Sequence, residues 1–147
     1  VNNPYPIILD LANKKIAVVG GGKIAARKIN SLLAIKVSPT VISPKLANSI
    51  PLEQIHWIQD YYQRKYVMTM DLIIACTNNL QVNRQIVQEA TARQLVNDTS
   101  EKNYSNFYNM ATITQNDLLI GLSTIGKSPA KVKKIKKMLE KWLDQQN

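Results

Sequence analysis

Lys15-Ile16-Ala17-Val18-Val19 is a short β-branched run that reads as a buried strand and enters Gly20-Gly21-Gly22 directly. From Lys23 to Leu33 the spacing changes. Ala25, Ile29, Leu32 and Leu33 recur at three- and four-residue steps and predict an amphipathic helix. Thr40–Ser43 is a second strand, stopped by Pro44, which completes a βαβ unit of about 30 residues, the size a crossover connection needs. Ile55–Ile58 predicts a short strand and Asp71–Cys76 a strong one. Thr77-Asn78-Asn79 then offers capping side chains ahead of a helix from Leu80 to Arg93, with Val82, Ile86 and Ala90 on one face. Leu95-Val96-Asn97 is a further strand. Strands alternating with helices predict an α/β fold, a mostly parallel, doubly wound sheet covered on both faces.

After Tyr104 the pattern changes. Met110–Thr114 and Leu118–Ser123 are two short strands joined by Gln115-Asn116-Asp117, which predicts a hairpin. Ser128-Pro129 places a capping residue before a proline at the first helical position. A helix from Pro129 to Leu143 follows, with Val132, Ile135, Met138, Leu139 and Trp142 along one stripe. A lone hairpin and helix bury little by themselves, so this tail is expected to pack on the core or on a second subunit, as in a homodimer.

Composition narrows the class. With 147 residues, 45% of them hydrophobic and 20% charged, the chain reads as a soluble globular protein. No apolar run approaches the roughly 20 residues that cross a bilayer. The start, Val1-Asn2-Asn3-Pro4, has no basic leader of the secretory kind. One cysteine, Cys76, forms no internal disulfide and holds no metal alone, which fits a reducing, cytoplasmic setting. The net charge of +9 is uneven: Lys127–Lys141 holds seven lysines against one acid, Glu140, and supplies six of those charges. Such a segment attracts a polyanion (nucleic acid, an anionic membrane or a substrate with many carboxylates) or is simply a solvated helix face. No helix-turn-helix with base-reading side chains is evident, and no aromatic residues interleave the lysines, so neither nucleic acid nor a membrane is the expected partner.

Gly20-Gly21-Gly22-Lys23-Ile24-Ala25 matches G-x-G-x-x-A in its required setting, a strand before and a helix after. Gly20 permits the tight turn, Gly22 lets backbone approach a pyrophosphate, and Ala25 lets the helix sit close to the sheet. This predicts a Rossmann-like dinucleotide site. An acid about 20 residues on often holds the adenosine ribose. Here Ser43-Pro44-Lys45 stands instead, so this rule leaves NAD and NADP open. Cys76-Thr77-Asn78-Asn79 ends a strand at the edge where such sheets bind ligands; Thr77 and Asn78 either line the nucleotide or cap the helix. Asp98, in Asn97-Asp98-Thr99-Ser100, is either a general base or a turn residue. His56, in an apolar strand beside Trp57, is read as structural, and no clustered metal ligands or nucleophile elbow are present.

These residues resemble a known family. Tyr5-Pro6-Ile7-Ile8-Leu9-Asp10-Leu11, Val18-Val19-Gly20-Gly21-Gly22-Lys23-Ile24-Ala25-Ala26-Arg27-Lys28, Ile74–Asn79, Val96-Asn97, Asn106-Phe107 and Ile120–Pro129 are similar to the precorrin-2 dehydrogenases of sirohaem synthesis. The resemblance implies NAD as cofactor and an oxidation of precorrin-2 to sirohydrochlorin. A tetrapyrrole rich in carboxylates gives the lysines a purpose. It implies an NAD-binding domain over residues 1–108, a dimerisation region over 109–147, and a third, helical domain with no counterpart in this sequence. It places cofactor contacts at Lys23-Ile24 and Pro44-Lys45, mainly through backbone, and Ser123, Lys127 and Ser128 near the substrate. Some relatives also insert iron, with an aspartate shared by both reactions. Ser100 stands at that aspartate's place and Asp98 two residues before it, which argues for dehydrogenation without efficient chelation. A bifunctional dehydrogenase and ferrochelatase, and a non-catalytic NAD(H)-binding regulatory domain, are the alternatives.

Overall fold

The computed structural model describes residues 3–146, so Val1-Asn2, at the start read as lacking a leader, lies outside the described residues. The chain falls into two compact units, residues 1–107 and 108–147.

The first unit is a five-stranded, wholly parallel sheet in the order β3-β2-β1-β4-β5. Its elements are β1 (Ile16–Val19), α1 (Lys23–Ala34), β2 (Thr40–Ile42), β3 (His56–Ile58), β4 (Leu72–Ala75), α2 (Leu80–Glu89) and β5 (Leu95–Asp98). In register, Val18 lies beside Val41 on one side and Ile74 on the other. Because side chains alternate along a strand, these residues face one layer with Ile16 and Leu72. They pack there against Ala25, Ala26, Ile29 and Leu32 of α1. Ala17, Val19, Ile42, Ile73, Ala75 and Val96 face the other layer, with Ile86 of α2. Burial on both faces is why β1 and β4 are unbroken apolar runs. The chain runs from β1 to β2 and β3 on one side, then returns to β4 and β5 on the other, so the connection reverses between β1 and β4.

The helix predicted to reach Arg93 stops at Glu89. Ala90 turns extended, at φ −68° and ψ 142°. The buried Gln94 side chain then accepts from Thr91 N–H at 2.9 Å and donates to the carbonyls of Val67 (2.8 Å) and Met70 (2.7 Å). Those bonds fix a turn where periodicity alone continues the helix.

The second unit holds an antiparallel hairpin, β6 (Ala111–Gln115) and β7 (Leu118–Leu122), and a helix, α3 (Pro129–Asp144). Gln115 pairs with Leu118, so the link is the two residues Asn116-Asp117 rather than three. Asn116 takes a φ of 53°, a left-handed conformation that asparagine tolerates. β6 packs against α3, and Ile113 is buried. The packed stripe of α3 is Val132, Ile135, Leu139 and Leu143, whereas Met138 (62% exposed) and Trp142 (54%) of the expected stripe lie outside it. Among the described residues no helix is long and apolar enough to cross a membrane.

Candidate functional site

The carboxyl ends of β1 and β4 meet where the sheet reverses its strand order, the place where open α/β sheets leave a ligand crevice. Gly20 leaves β1 with φ +123° and donates its N–H to Ile42 O at 2.9 Å. A Cβ there would sit 2.5 Å from the Cys76 carbonyl oxygen, so glycine is demanded by conformation and by space. Beside Gly22, in contrast, a Cβ would meet nothing within 4 Å. Gly22 is the N-cap of α1 and offers no side chain to cap it, and no acid stands in the first turn. The other two helices are capped: Asn79 accepts from Gln81 and Val82 N–H in α2, and Ser128 accepts from Lys131 N–H in α3. The start of α1 thus directs unbonded N–H groups and the positive end of its dipole into open space, which fits a pyrophosphate. Lys23 and Ile24 are exposed on that first turn.

Ser43, Pro44 and Lys45 follow β2 and lie against this turn, with Ala47 N–H donating to Gly21 O at 2.7 Å. Ser43 is buried, and its hydroxyl donates to Lys45 O at 2.7 Å. Its proton is therefore spent within the loop, while the Lys45 side chain is exposed. Cys76 is buried behind the turn, and desolvation pushes its thiol up to about 12, with the Lys28 ammonium opposing. Burial, with Arg27 adding to it, lowers the pKa of half-buried Lys28. A thiol so held is packing, not a nucleophile.

Beyond β4 the polar residues form one network. Thr77 donates its N–H (3.1 Å) and hydroxyl (2.6 Å) to Asn83 Oδ1. Asn83 Nδ2 donates to Thr77 O and to Ser100 Oγ, both at 3.1 Å. Asp98 Oδ1 accepts from the N–H (2.8 Å) and hydroxyl of Ser100 and from Glu101 N–H (3.2 Å). Asp98 is 2% exposed, and its Oδ2 has no hydrogen-bond partner among the described residues. Asp98 is thus a turn-forming residue with one spare, desolvated oxygen. Ser100 is exposed and lines an open depression with Glu101, Asn103 and Tyr104. Arg84 closes its rim, 2.9 Å from Glu101 and 5.0 Å from the Tyr104 ring centre.

The fold therefore gathers Gly20, Gly22, Lys23, Ile24, Ser43, Pro44 and Lys45 at one edge and links Thr77 to Ser100 and Asp98. Asn78 is exposed in the same loop. Asn79 is the cap of α2, and Thr77 is turned inward. Ser123, Lys127 and Ser128 belong to the second unit, where Ser123 Oγ accepts from Ile125 N–H and Ser128 caps α3. His56 is exposed at the amino end of β3, away from the glycines. Among the described residues no His, Cys, Asp and Glu group could hold a metal ion. Sequence reasoning missed Asn83, fully buried at the centre of the network. Its one visible mark is a polar residue beside Val82 on the apolar side of α2.

The profile of a putative NAD(P)-binding family matches residues 7–111. The siroheme synthase of Blochmanniella pennsylvanica is 35% identical over 140 residues, which is 92% of this chain and 29% of that protein. The precorrin-2 dehydrogenase of Bacillus subtilis is 29% identical, with 95% of this chain and 88% of that protein covered. The solved structure of SirC, a precorrin-2 dehydrogenase, superposes with a TM-score of 0.83 at 29% identity, over 94% of this chain and 70% of that one. This chain spans about three-tenths of the length of the siroheme synthases it matches. By the profile match over most of its length and by these relatives, the chain belongs to the putative NAD(P)-binding family of precorrin-2 dehydrogenases and siroheme synthases.

Proposed function

We propose that this protein is an NAD-dependent oxidoreductase that dehydrogenates precorrin-2 to sirohydrochlorin in sirohaem synthesis. The observation that carries the reading is the uncapped start of α1 at Gly22, open on the ligand side of the sheet reversal. Bound there, NAD supplies the hydride acceptor. Backbone N–H groups from Gly22 to Ile24 hold its pyrophosphate, the Ser43-Pro44-Lys45 backbone its adenosine ribose, and the Thr77-Asn78 loop lines its inner side. Orientation of substrate and cofactor supplies much of the rate, because the product gains conjugation.

The proton lost from the tetrapyrrole has a receiving group in Ser100. Ser100 lines the open depression, and its hydroxyl already donates to the buried carboxylate of Asp98, which can take that proton as Ser100 takes the substrate's. Ser123, Lys127 and Ser128 contribute to substrate binding, and the lysines of α3 answer the carboxylates of a tetrapyrrole. The protein acts as a homodimer in a reducing, cytoplasmic compartment, where buried Cys76 stays a thiol.

Anaerobic incubation with precorrin-2 and NAD, followed by absorbance, tests the reading. NAD-dependent appearance of sirohydrochlorin is the expected result. Absence of conversion by a protein that binds NAD would overturn the dehydrogenase and favour the regulatory alternative. Ferrous ion added afterwards is expected to give no enzyme-dependent sirohaem, since Ser100 offers no carboxylate to the depression and that of Glu101 is paired with Arg84 at 2.9 Å.

A further inference from the structure

We propose that Gly21 and Trp57 are positioning residues for the adenosine half of the cofactor. They clamp the loop Ser43–Ala47 against the glycine turn, so that backbone held in place, rather than an acidic side chain, makes the ribose shelf. The proposal rests on the dinucleotide reading above and accounts for how the site works without the expected acid.

Gly21 has no left-handed backbone to explain it; its demand is spatial. A Cβ on residue 21 would lie 2.0 Å from Lys45 O, 2.6 Å from Ser43 Oγ and 3.0 Å from Leu46 Cδ2. The worst of these approaches is to a main-chain oxygen, which no rotamer change relieves. Gly21 also accepts from Ala47 N–H at 2.7 Å, so the loop is bonded to the turn where it is closest to it. From the opposite side, Trp57 Nε1 donates to Ser43 O at 2.9 Å, and Ser43 N–H donates to Ile58 O at 3.1 Å. The Ser43 hydroxyl closes the loop on Lys45 O, and Leu46 packs into the α1 core layer.

The loop is thus tied at its start by β3, at its end by the turn and internally by its own serine. Between Ser43 and Asn48 there is no acid. A loop ordered before the ligand arrives removes an ordering cost from binding, which lets its backbone hold a ribose without the extra hydrogen bonds a carboxylate would add. Gly22 opens toward ligand while Gly21 opens toward the loop, so adjacent glycines serve the two halves of one dinucleotide.

Calorimetric titration with NAD and with ADP-ribose decides it, together with Trp57 emission read in a Trp142→Phe background. Gly21→Ala is expected to weaken both ligands at least tenfold and to shift Trp57 emission before any ligand is added. Trp57→Phe, which keeps an aromatic ring and removes the donor, is expected to weaken both severalfold with circular dichroism unchanged. Should Gly21→Ala fail to fold, Trp57→Phe decides alone. Folded variants binding NAD within twofold of the unaltered protein would overturn the clamp while leaving the dinucleotide reading intact. No NAD binding by the unaltered protein would overturn both.

Discussion

At Gly20 the backbone φ of +123° is one that L side chains rarely adopt, and a Cβ would press to 2.5 Å on a main-chain oxygen; at Gly22 the same atom would meet open space. Two identical residues, two apart, therefore predict opposite phenotypes. Gly20→Ala is expected to lose more than the about 1–3 kcal/mol that a strained backbone alone costs, because the clash adds to it. Gly22→Val puts a poor N-cap residue in place of a tolerated one, at a cost of about 1 kcal/mol or about 3–5 °C in melting temperature, yet fills the pyrophosphate space. NAD affinity should fall at least tenfold. Calorimetric unfolding and NAD titration of both variants check the pair, and equal losses of stability would contradict the assignment. Cys76 gives a pH dependence at the same scale. Burial raises its pKa to about 12 from the ordinary 9.0, so the unfolded chain releases this proton first. The contribution to stability is whole below pH 9 and is lost as pH rises toward 12. Cys76→Ala should flatten that alkaline decline in urea midpoints measured across the interval; an unchanged slope would assign it to other groups, such as Tyr62, whose pKa is also raised by burial and by Glu89.

Between elements, Asn83 joins what the backbone leaves apart. It stands on α2 but bonds to the loop after β4 and to the loop after β5, so one amide holds Thr77 beside Ser100. Asn83→Ala strands the Thr77 N–H and carbonyl, and a buried polar group without its partner costs about 1–3 kcal/mol. The expected loss in chemical denaturation is about 2–4 kcal/mol, and one below about 1 would show the network to be dispensable. This is also where reading the chain stops working. β1, α1, β2 and the turn were legible because each depends on neighbours within a few residues: an apolar run, a three-to-four spacing, a glycine, a proline. Asn83 was not, because its partners lie six and seventeen residues away on other elements. Nor was the end of α2, set by Gln94 bonding to carbonyls 27 and 24 residues back. On α3 the residue types were read correctly but the phase drifted, and Leu143 is buried where Trp142 was expected. The missing acid after β2 is the same lesson at the site, since a shelf made of backbone leaves no residue type to recognise.

At the scale of the whole molecule, the apolar side chains exposed on the second unit predict self-association. Met138 and Trp142 stand exposed on α3, and Leu118 and Leu119 are 44% and 49% exposed on β7. Burying a large apolar side chain is worth about 1.5–3 kcal/mol, about half of which remains for side chains already half buried, and a two-fold interface counts each residue twice, so these four favour self-association by several kcal/mol before the cost of association. The same helix works against it, because Lys127–Lys141 carries a net charge of +6 and two copies brought together repel. Added salt screens that repulsion and leaves the apolar contact intact. Self-association measured by sedimentation equilibrium should therefore tighten from low salt to about 0.5 M, a range over which the Debye length falls below about 8 Å. Binding of a polycarboxylate product such as sirohydrochlorin should weaken over the same range, since there the lysines attract. The double variant Met138→Glu, Trp142→Glu is expected to be monomeric at all salts while NAD titration of its first unit stays unchanged. A dimer that loosens with salt would assign the contact to charge rather than to this apolar shoulder, and a double variant that remains dimeric would move the interface off α3.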